Sequence, residues 1–263
     1  MLTATKTAVA GLAAAILLAS TSLVSRMEGA PGLSTSLANQ NKEVAAERNV
    51  KVEQTARSVI ETLFREKKRT NAFVRYFRFS ELSREEKSAL EKLGYDPSDE
   101  ATRYKNSSTG SRALTVSWNY AYQPVLLVLG TTDLTSGQEF KESFEKAQTT
   151  VEEERNRALA KRGLSEEQFY SLLDLKAAKD SETLERNLTI LEQLDADLDQ
   201  FIEQKTNPAT LSGNIKKIEE SMLIEKHAVA GRTLYEVHFK PMFKMVFLQQ
   251  GGELKMVAFG DVV

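Results

Sequence analysis

Phe243-Lys244-Met245-Val246-Phe247-Leu248-Gln249-Gln250-Gly251-Gly252-Glu253-Leu254-Lys255-Met256-Val257-Ala258 is the stretch from which the fold is read. Two apolar, alternating runs flank Gly251-Gly252, and glycines accept the positive φ angles that a two-residue hairpin turn demands. Folding the runs back on that turn pairs Gln249 with Leu254, Phe247 with Met256 and Met245 with Ala258. Because side chains alternate across a strand, Phe243, Met245, Phe247, Leu254, Met256 and Ala258 would then share one core face. Upstream, Met222 to Val229 and Thr233 to Phe239 read as two further antiparallel strands joined near Gly231. Thr233, Tyr235, Val237 and Phe239 fall on one face of that pair, Glu236 and His238 on the other.

Before this meander the periodicity is helical. From Lys42 to Lys68 the residues Val52, Ala56, Val59, Ile60, Leu63 and Phe64 recur at helical spacing, predicting a long helix buried on one face. Ser83-Arg84-Glu85-Glu86 has the form of a capping box, followed by Leu90, Leu93 and a terminating Gly94. Asp96 to Gly110 is polar and aperiodic and reads as a loop. Residues 113–129 are ambiguous: Leu114, Val116, Trp118, Tyr120 and Tyr122 alternate as in a strand, Val125 to Leu129 is solidly apolar, and Pro124 argues against one continuous element. Ser136-Gly137-Gln138-Glu139 opens a helix carrying Phe140, Phe144, Ala147, Val151 and Ala158, closed by Gly163. Ser165 starts a shorter one with Phe169, Leu172 and Leu173, and Ser181 a third with Leu184, Leu188, Leu191, Leu194, Leu198 and Phe201 in one stripe. Short turns between amphipathic helices imply an antiparallel helical unit.

The chain therefore divides into an export segment (1–25), a Ser/Gly/Asn-rich linker (26–41), a helical N-terminal part (42–135), the amphipathic helical unit (136–205) and an antiparallel sheet (206–263). The fold class is α+β: N-terminal helices and a C-terminal antiparallel meander, with an inserted helical unit. The helix ending Ala56-Arg57-Ser58-Val59-Ile60-Glu61-Thr62-Leu63-Phe64 and the closing hairpin 243–257 together resemble the nuclear transport factor 2-like superfamily. That resemblance covers about 100 residues at the level of architecture and carries no diagnostic motif. It implies N-terminal helices lying in the concavity of a curved sheet, and the helical unit 136–205 departs from it as an insertion.

The two histidines, His227 and His238, are the only imidazoles in the chain, and there is no cysteine. With a two-residue turn at Ala230-Gly231 both histidines lie on one sheet face, about four residues and roughly 13 Å apart along the strands, too far to share a metal. A ligand pocket between sheet and N-terminal helices would draw on His238, Glu236, Tyr235 and Trp118. The aromatic supply suits a small apolar molecule or lipid, and an imidazole there could serve as a general acid or base. Arg65, Lys67, Lys68, Arg69, Arg75 and Arg78, interleaved with Phe73, Tyr76 and Phe77, form a basic stretch suited to an anionic surface. Asp195-Ala196-Asp197-Leu198-Asp199 begins like a calcium loop, but Gln200 stands where the turn glycine belongs and Thr206 where the bidentate glutamate belongs; the stretch reads as a solvated acidic helix face. No nucleophile elbow, phosphate loop, dinucleotide fingerprint or zinc-protease motif occurs, and no cofactor is called for.

Lys6 precedes an uncharged run from Thr7 to Ser25 centred on Gly11-Leu12-Ala13-Ala14-Ala15-Ile16-Leu17-Leu18-Ala19, the pattern of an export signal that is either cleaved or kept as an anchor. Either way the remainder is expected in the periplasm or outside the cell, with membrane contact through this segment alone. A lipobox is excluded by the lack of cysteine. Residues 39–263 hold 33 basic and 36 acidic side chains, giving no global attraction to nucleic acid. Residues 137–205 alone hold 17 acidic and 10 basic ones. The sequence thus points first to a non-enzymatic interaction or binding module, with a protein partner or self-association through 136–205. The small-molecule or lipid binder, as a carrier or an enzyme, is the alternative.

Overall fold

The computed structural model describes residues 35–66, 69–79, 82–95, 107–174, 178, 180–239, 243–250 and 252–261. The chain divides into two units, Met1–Glu47 with Val263, and Arg48–Val262. The export segment lies outside the described residues, as do Lys67, Lys68 and most of the 96–110 stretch. Among the described residues no helix is long and apolar enough to cross a membrane.

Eight described helices precede a four-stranded antiparallel sheet: α1 (Thr35–Arg65), α2 (Thr70–Tyr76), α3 (Arg84–Lys92), α4 (Ser107–Thr131), α5 (Gly137–Lys161), α6 (Glu166–Leu173), α7 (Ser181–Lys205) and α8 (Pro208–Glu220), then β1 (Met222–Val229), β2 (Arg232–Phe239), β3 (Phe243–Gln250) and β4 (Glu253–Asp261). The strands follow one another in the order β1-β2-β3-β4, a plain meander. This is the expected α+β class. The closing hairpin pairs Gln249 with Leu254 and Phe247 with Met256 as expected. A bulge then intervenes, so Met245 meets Phe259 and Val246 meets Ala258. The extra residue turns Ala258 to the opposite face, where it packs with Val257 and Leu248.

The long first helix starts earlier than its apolar stripe, within the stretch expected to be linker. Leu37, Ala38 and Gln40 are good helix formers that extend a helix already nucleated downstream.

Residues 113–129 resolve as the middle of one helix, α4, with Pro124 inside it. Its apparent alternation is two interleaved helical stripes. Leu114, Trp118 and Tyr122 join the core under the sheet, while Ala113, Val116 and Tyr120 join the core of the helical unit. A helix clamped on both sides needs no polar face, and that surrounding packing offsets the backbone hydrogen bond Pro124 removes. α8 is an element the sequence reading placed within the sheet. Asn207 caps it by accepting from the Ala209 and Thr210 N–H groups, Pro208 occupies the first turn, and Ile215 and Ile218 are buried.

The remaining caps follow the sequence closely. Ser83 and Glu86 close a reciprocal capping box on α3, and Ser165 and Gln168 close another on α6. On α5, Ser136 accepts from the Glu139 N–H, but the Glu139 carboxylate turns to the Thr135 N–H and hydroxyl instead. Asp180, not Ser181, caps α7. Gly94 and Gly163 adopt φ of +83° and +66° just after their helices, conformations other residues rarely take.

Three apolar clusters hold the described structure. One sheet face (Tyr235, Val237, Phe239, Phe243, Met245, Phe247) is sealed by Val59, Ile60, Leu63 and Phe64 of α1, by Phe73 of α2, and by α4. The second lies among α4 to α7, joining Ala113 and Val116 to Ala158, Leu159, Phe169, Leu188, Leu191 and Leu194. The third lies on the outer sheet face beneath Leu82, Leu90 and Tyr95. The stripes of the helical unit are thus divided: Leu188, Leu191 and Leu194, with Leu184, pack in the second cluster, which α4 joins, whereas Phe140, Phe144 and Val151 belong to the first cluster with the sheet.

Two outcomes follow. A Cβ on Gly130 would sit 2.4 Å from Thr206 Oγ1, where α4 touches the α7–α8 link. Gly130→Ala should cost about 1–3 kcal/mol by overpacking, with part of the loss recovered in the double variant with Thr206→Ala, both read from urea unfolding. Leu191→Asp puts a charge where Leu191 is 1 % exposed. It should cost about 4 kcal/mol or more and make 136–205 the first region cut in limited proteolysis.

Candidate functional site

The outer face of the sheet is where chemistry-bearing side chains converge. Pairing β1 with β2 sets Glu225 opposite Glu236, His227 opposite Leu234 and Leu223 opposite His238; β3 adds Lys244 opposite His238. All of these point away from the helices that seal the inner face. Tyr95, turned back by the left-handed Gly94, reaches over from α3.

Glu236 is the centre, only 4 % exposed. A buried carboxylate must be paired, and its two oxygens divide the task. Oε1 accepts from the Tyr95 hydroxyl at 3.1 Å and lies 3.3 Å from Lys244 Nζ. Oε2 lies 3.2 Å from His227 Nε2 and 3.7 Å from His238 Nε2. His238 Nε2 is also 3.9 Å from Glu225 Oε1. Burial, reinforced by the Glu236 charge and hydrogen bond, pushes the Tyr95 phenol far up, so it remains a donor across the working pH range. The Lys244 ammonium sits 4.6 Å over the Tyr95 ring, adding a cation–π contact.

The two histidines keep the four-residue offset expected from the sequence, yet their side chains lean onto the same carboxylate oxygen. The roughly 13 Å separation inferred from strand rise describes their backbones only.

A second ionic cluster lies nearby. Glu86, 3 % exposed, takes Arg78 Nη1 at 3.0 and 3.1 Å, Arg232 Nη1, and the Ser83 N–H at 2.7 Å. Burial works against its charge, but these donors outweigh it and hold its pKa below the ordinary carboxylate value. Beside α3 and the end of β1 an open depression of about 560 Å³ is lined by Arg84, Ser88, Leu93, His227 and Val229.

The structure does not bring the four expected ligand residues together. Glu236 and His238 face outward, whereas Tyr235 and Trp118 are 2 % exposed in the inner core. Trp118 stacks on Tyr122 at 4.8 Å and meets Phe64 edge-on. Side chains of α1 and α4 fill the region between sheet and helices that the expected ligand pocket would occupy.

Nor do the described basic residues form one patch. Arg65 pairs with Glu61, Arg69 with Asp199 and Arg78 with Glu86, while Arg75 is exposed on α2. Arg69 also donates to the Leu63 carbonyl and lies 5.7 Å from the Trp118 ring. Arg69 thus ties the end of α1 to Asn119 of α4 and Asp199 of α7.

Its acidic partners are the surprise of the Asp195–Asp199 stretch, which only partly faces water. Asp195 accepts from Asn119 Nδ2 at 3.3 Å and Gln123 Nε2 at 3.5 Å, and Asp199 takes Arg69 Nη1 at 2.7 Å. Polar positions on α4, hidden in an apparently strand-like run, turned this face inward. The residues the sequence reading passed over at the outer site are Glu225, Tyr95, Lys244 and Glu86. Glu225 had a signal: a two-residue turn at Ala230-Gly231 already sets it opposite Glu236, and like charges in register call for something between them.

No protein-family model, no curated protein and no solved structure matches this chain.

Burial, then the neighbouring Asp199, pushes the Asp195 carboxyl well above the ordinary 3.8. The folded state then binds more protons than the unfolded one, so this group's contribution to stability falls as pH rises from 3.8 through the raised value. Asp195→Asn keeps one acceptor and removes the charge. It should raise the urea midpoint at neutral pH and flatten the difference between acidic and alkaline midpoints relative to the parent chain.

Proposed function

We propose that this chain is an exported, non-enzymatic binding module that engages a basic protein surface through α5 and its neighbours, with the sheet and α1 as scaffold. The observation that carries this reading is a row of exposed carboxylates, Glu142, Glu145, Glu152 and Glu153, on α5. Spacings of 3, 10 and 11 residues set them on one side of the helix. Other acids of the unit are tied down: Glu185 and Glu192 by Arg112, Asp197 by Arg162. The α5 row is turned outward: Glu142 accepts from Gln138 Nε2 and Glu153 meets Arg157 at 3.7 Å with both side chains mostly in water, while Lys141, Lys146 and Arg155 are the other basic residues nearest in sequence. A surface with 17 acids against 10 bases between residues 137 and 205 steers and orients a cationic partner. The element order, helices before a meander, is also what a nuclear transport factor 2-like scaffold carrying an added helical unit would present.

The test is cross-linking of the full chain in the exported fraction at low and high salt, beside a variant with Glu142, Glu145, Glu152 and Glu153 all changed to Lys. The expected result is a discrete adduct with a basic protein, lost at high salt and lost in the variant. An adduct retained by the charge-reversed variant, or a chain that stays uncoupled at low salt, overturns the reading.

A further inference from the structure

The outer sheet face carries a second capability, independent of the α5 surface: we infer that Glu225, Glu236 and His238 form a binding site for a divalent cation of the Zn²⁺ type. One donor atom from each lies within 4.8 Å of the others. Four-coordinate zinc with bonds of about 2.0–2.1 Å holds its ligands about 3.3 Å apart. His238 Nε2 is 3.7 Å from Glu236 Oε2 and 3.9 Å from Glu225 Oε1, and the two carboxylates lie within 4.8 Å of each other, so closure onto an ion needs about half an ångström at the imidazole and up to about 1.5 Å between the carboxylates.

An independent observation points the same way. His238 Nε2 is buried and has no hydrogen-bond partner, although it is aimed between two carboxylates. An imidazole nitrogen left unsatisfied beside two acceptors is a standing cost that a metal removes.

The surroundings are those of an oriented ligand. Tyr95 and Lys244 hold Oε1 of Glu236, leaving Oε2 as the ligating oxygen, while His227 contacts that oxygen from the other side. Outer groups of this kind fix a ligand's direction. Lys244 neutralises one of the two carboxylates, which leaves the trio with net negative charge. Glu225 is half-exposed, so the site opens to water on its side, and a water would complete a four-coordinate ion there. The donor set, two carboxylates and one imidazole, selects against Ca²⁺ and Mg²⁺, which prefer all-oxygen shells. With two histidines and no cysteine in the chain, imidazole dependence can be assigned to one residue.

The experiment is equilibrium dialysis of the full chain against Zn²⁺, repeated with Co²⁺ so that its visible bands report the ligand field, and thermal melting with and without Zn²⁺. One equivalent should bind and raise the melting temperature. His238→Gln should abolish the tight site. Glu225→Gln, at a half-exposed position where the substitution relieves the like charge facing Glu236 and leaves the fold intact, should weaken binding at least about tenfold. Glu253→Gln, on an exposed carboxylate elsewhere, should leave it intact. Failure of the parent chain to bind at millimolar Zn²⁺ overturns the proposal. So does undiminished binding in Glu225→Gln, equal loss in Glu253→Gln, or binding that needs His227 and survives His238→Gln.

Discussion

A four-strand meander cannot leave Tyr235, Val237, Phe239, Phe243, Met245 and Phe247 in water, and covering that face is the constraint from which the rest of the described structure follows. Each such side chain contributes about 1.5–3 kcal/mol when buried, and all six are at most 3 % exposed. The apolar stripe of α1 alone is too narrow to cover four strands. α4 completes the cover, presenting Trp118, Tyr122 and Val125 to Phe243 and its neighbours. Once α4 serves as a wall of the sheet core, its far side is a second apolar surface, and α5 to α7 assemble on it. The helical unit is in this sense anchored by the same helix that seals the sheet.

The legible parts of the fold were those whose pattern is set by one boundary between core and water. The closing hairpin, the β1–β2 pairing, the α1 stripe and the capping residues of α3 and α6 each have one buried side, and their periods show it. α4 has two buried sides, and two superposed helical stripes produce an alternation that imitates a strand. α8 was obscured for another reason: its signal is a cap, Asn207-Pro208, with only Ile215 and Ile218 as fully buried apolar anchors. The bulge in β4 was illegible because an extra residue changes which face Ala258 occupies without disturbing the apolar composition.

The candidate site was half legible by the same logic. Glu236 and His238 were recognised as sharing a face, and that held because period two is strict within one strand. Tyr235 and Trp118 were drawn in by aromatic content, which says nothing about face, and both went to the inner core. What no local pattern could show is that α3 and Tyr95 cover much of the outer face, converting an expected solvated side into one where Glu236 is nearly inaccessible. Coverage depends on where α3 and Tyr95 dock on the sheet, a tertiary matter.

Glu86 and Glu236 make an instructive pair because both are carboxylates buried on the same side of the sheet and they differ in how they are satisfied. Glu86 is closed: a backbone N–H and two arginines take up its oxygens, and its charge is favoured despite burial. It fastens Arg232 of β2 to Arg78 and the first turn of α3, the work expected of a structural ion cluster. Glu236 is given a hydroxyl, an ammonium and two imidazoles, yet a second glutamate stands directly across the strand pair and one imidazole nitrogen goes unpaired. Buried ionic groups rarely add net stability over apolar residues of the same shape. A sheet needing only a stable outer face would carry Val or Leu at Glu236, as it carries Leu234 and Val246 beside it. The excess acceptor and the orphaned donor atom are therefore features that stability does not explain, and a cation held between Glu225, Glu236 and His238 would explain both.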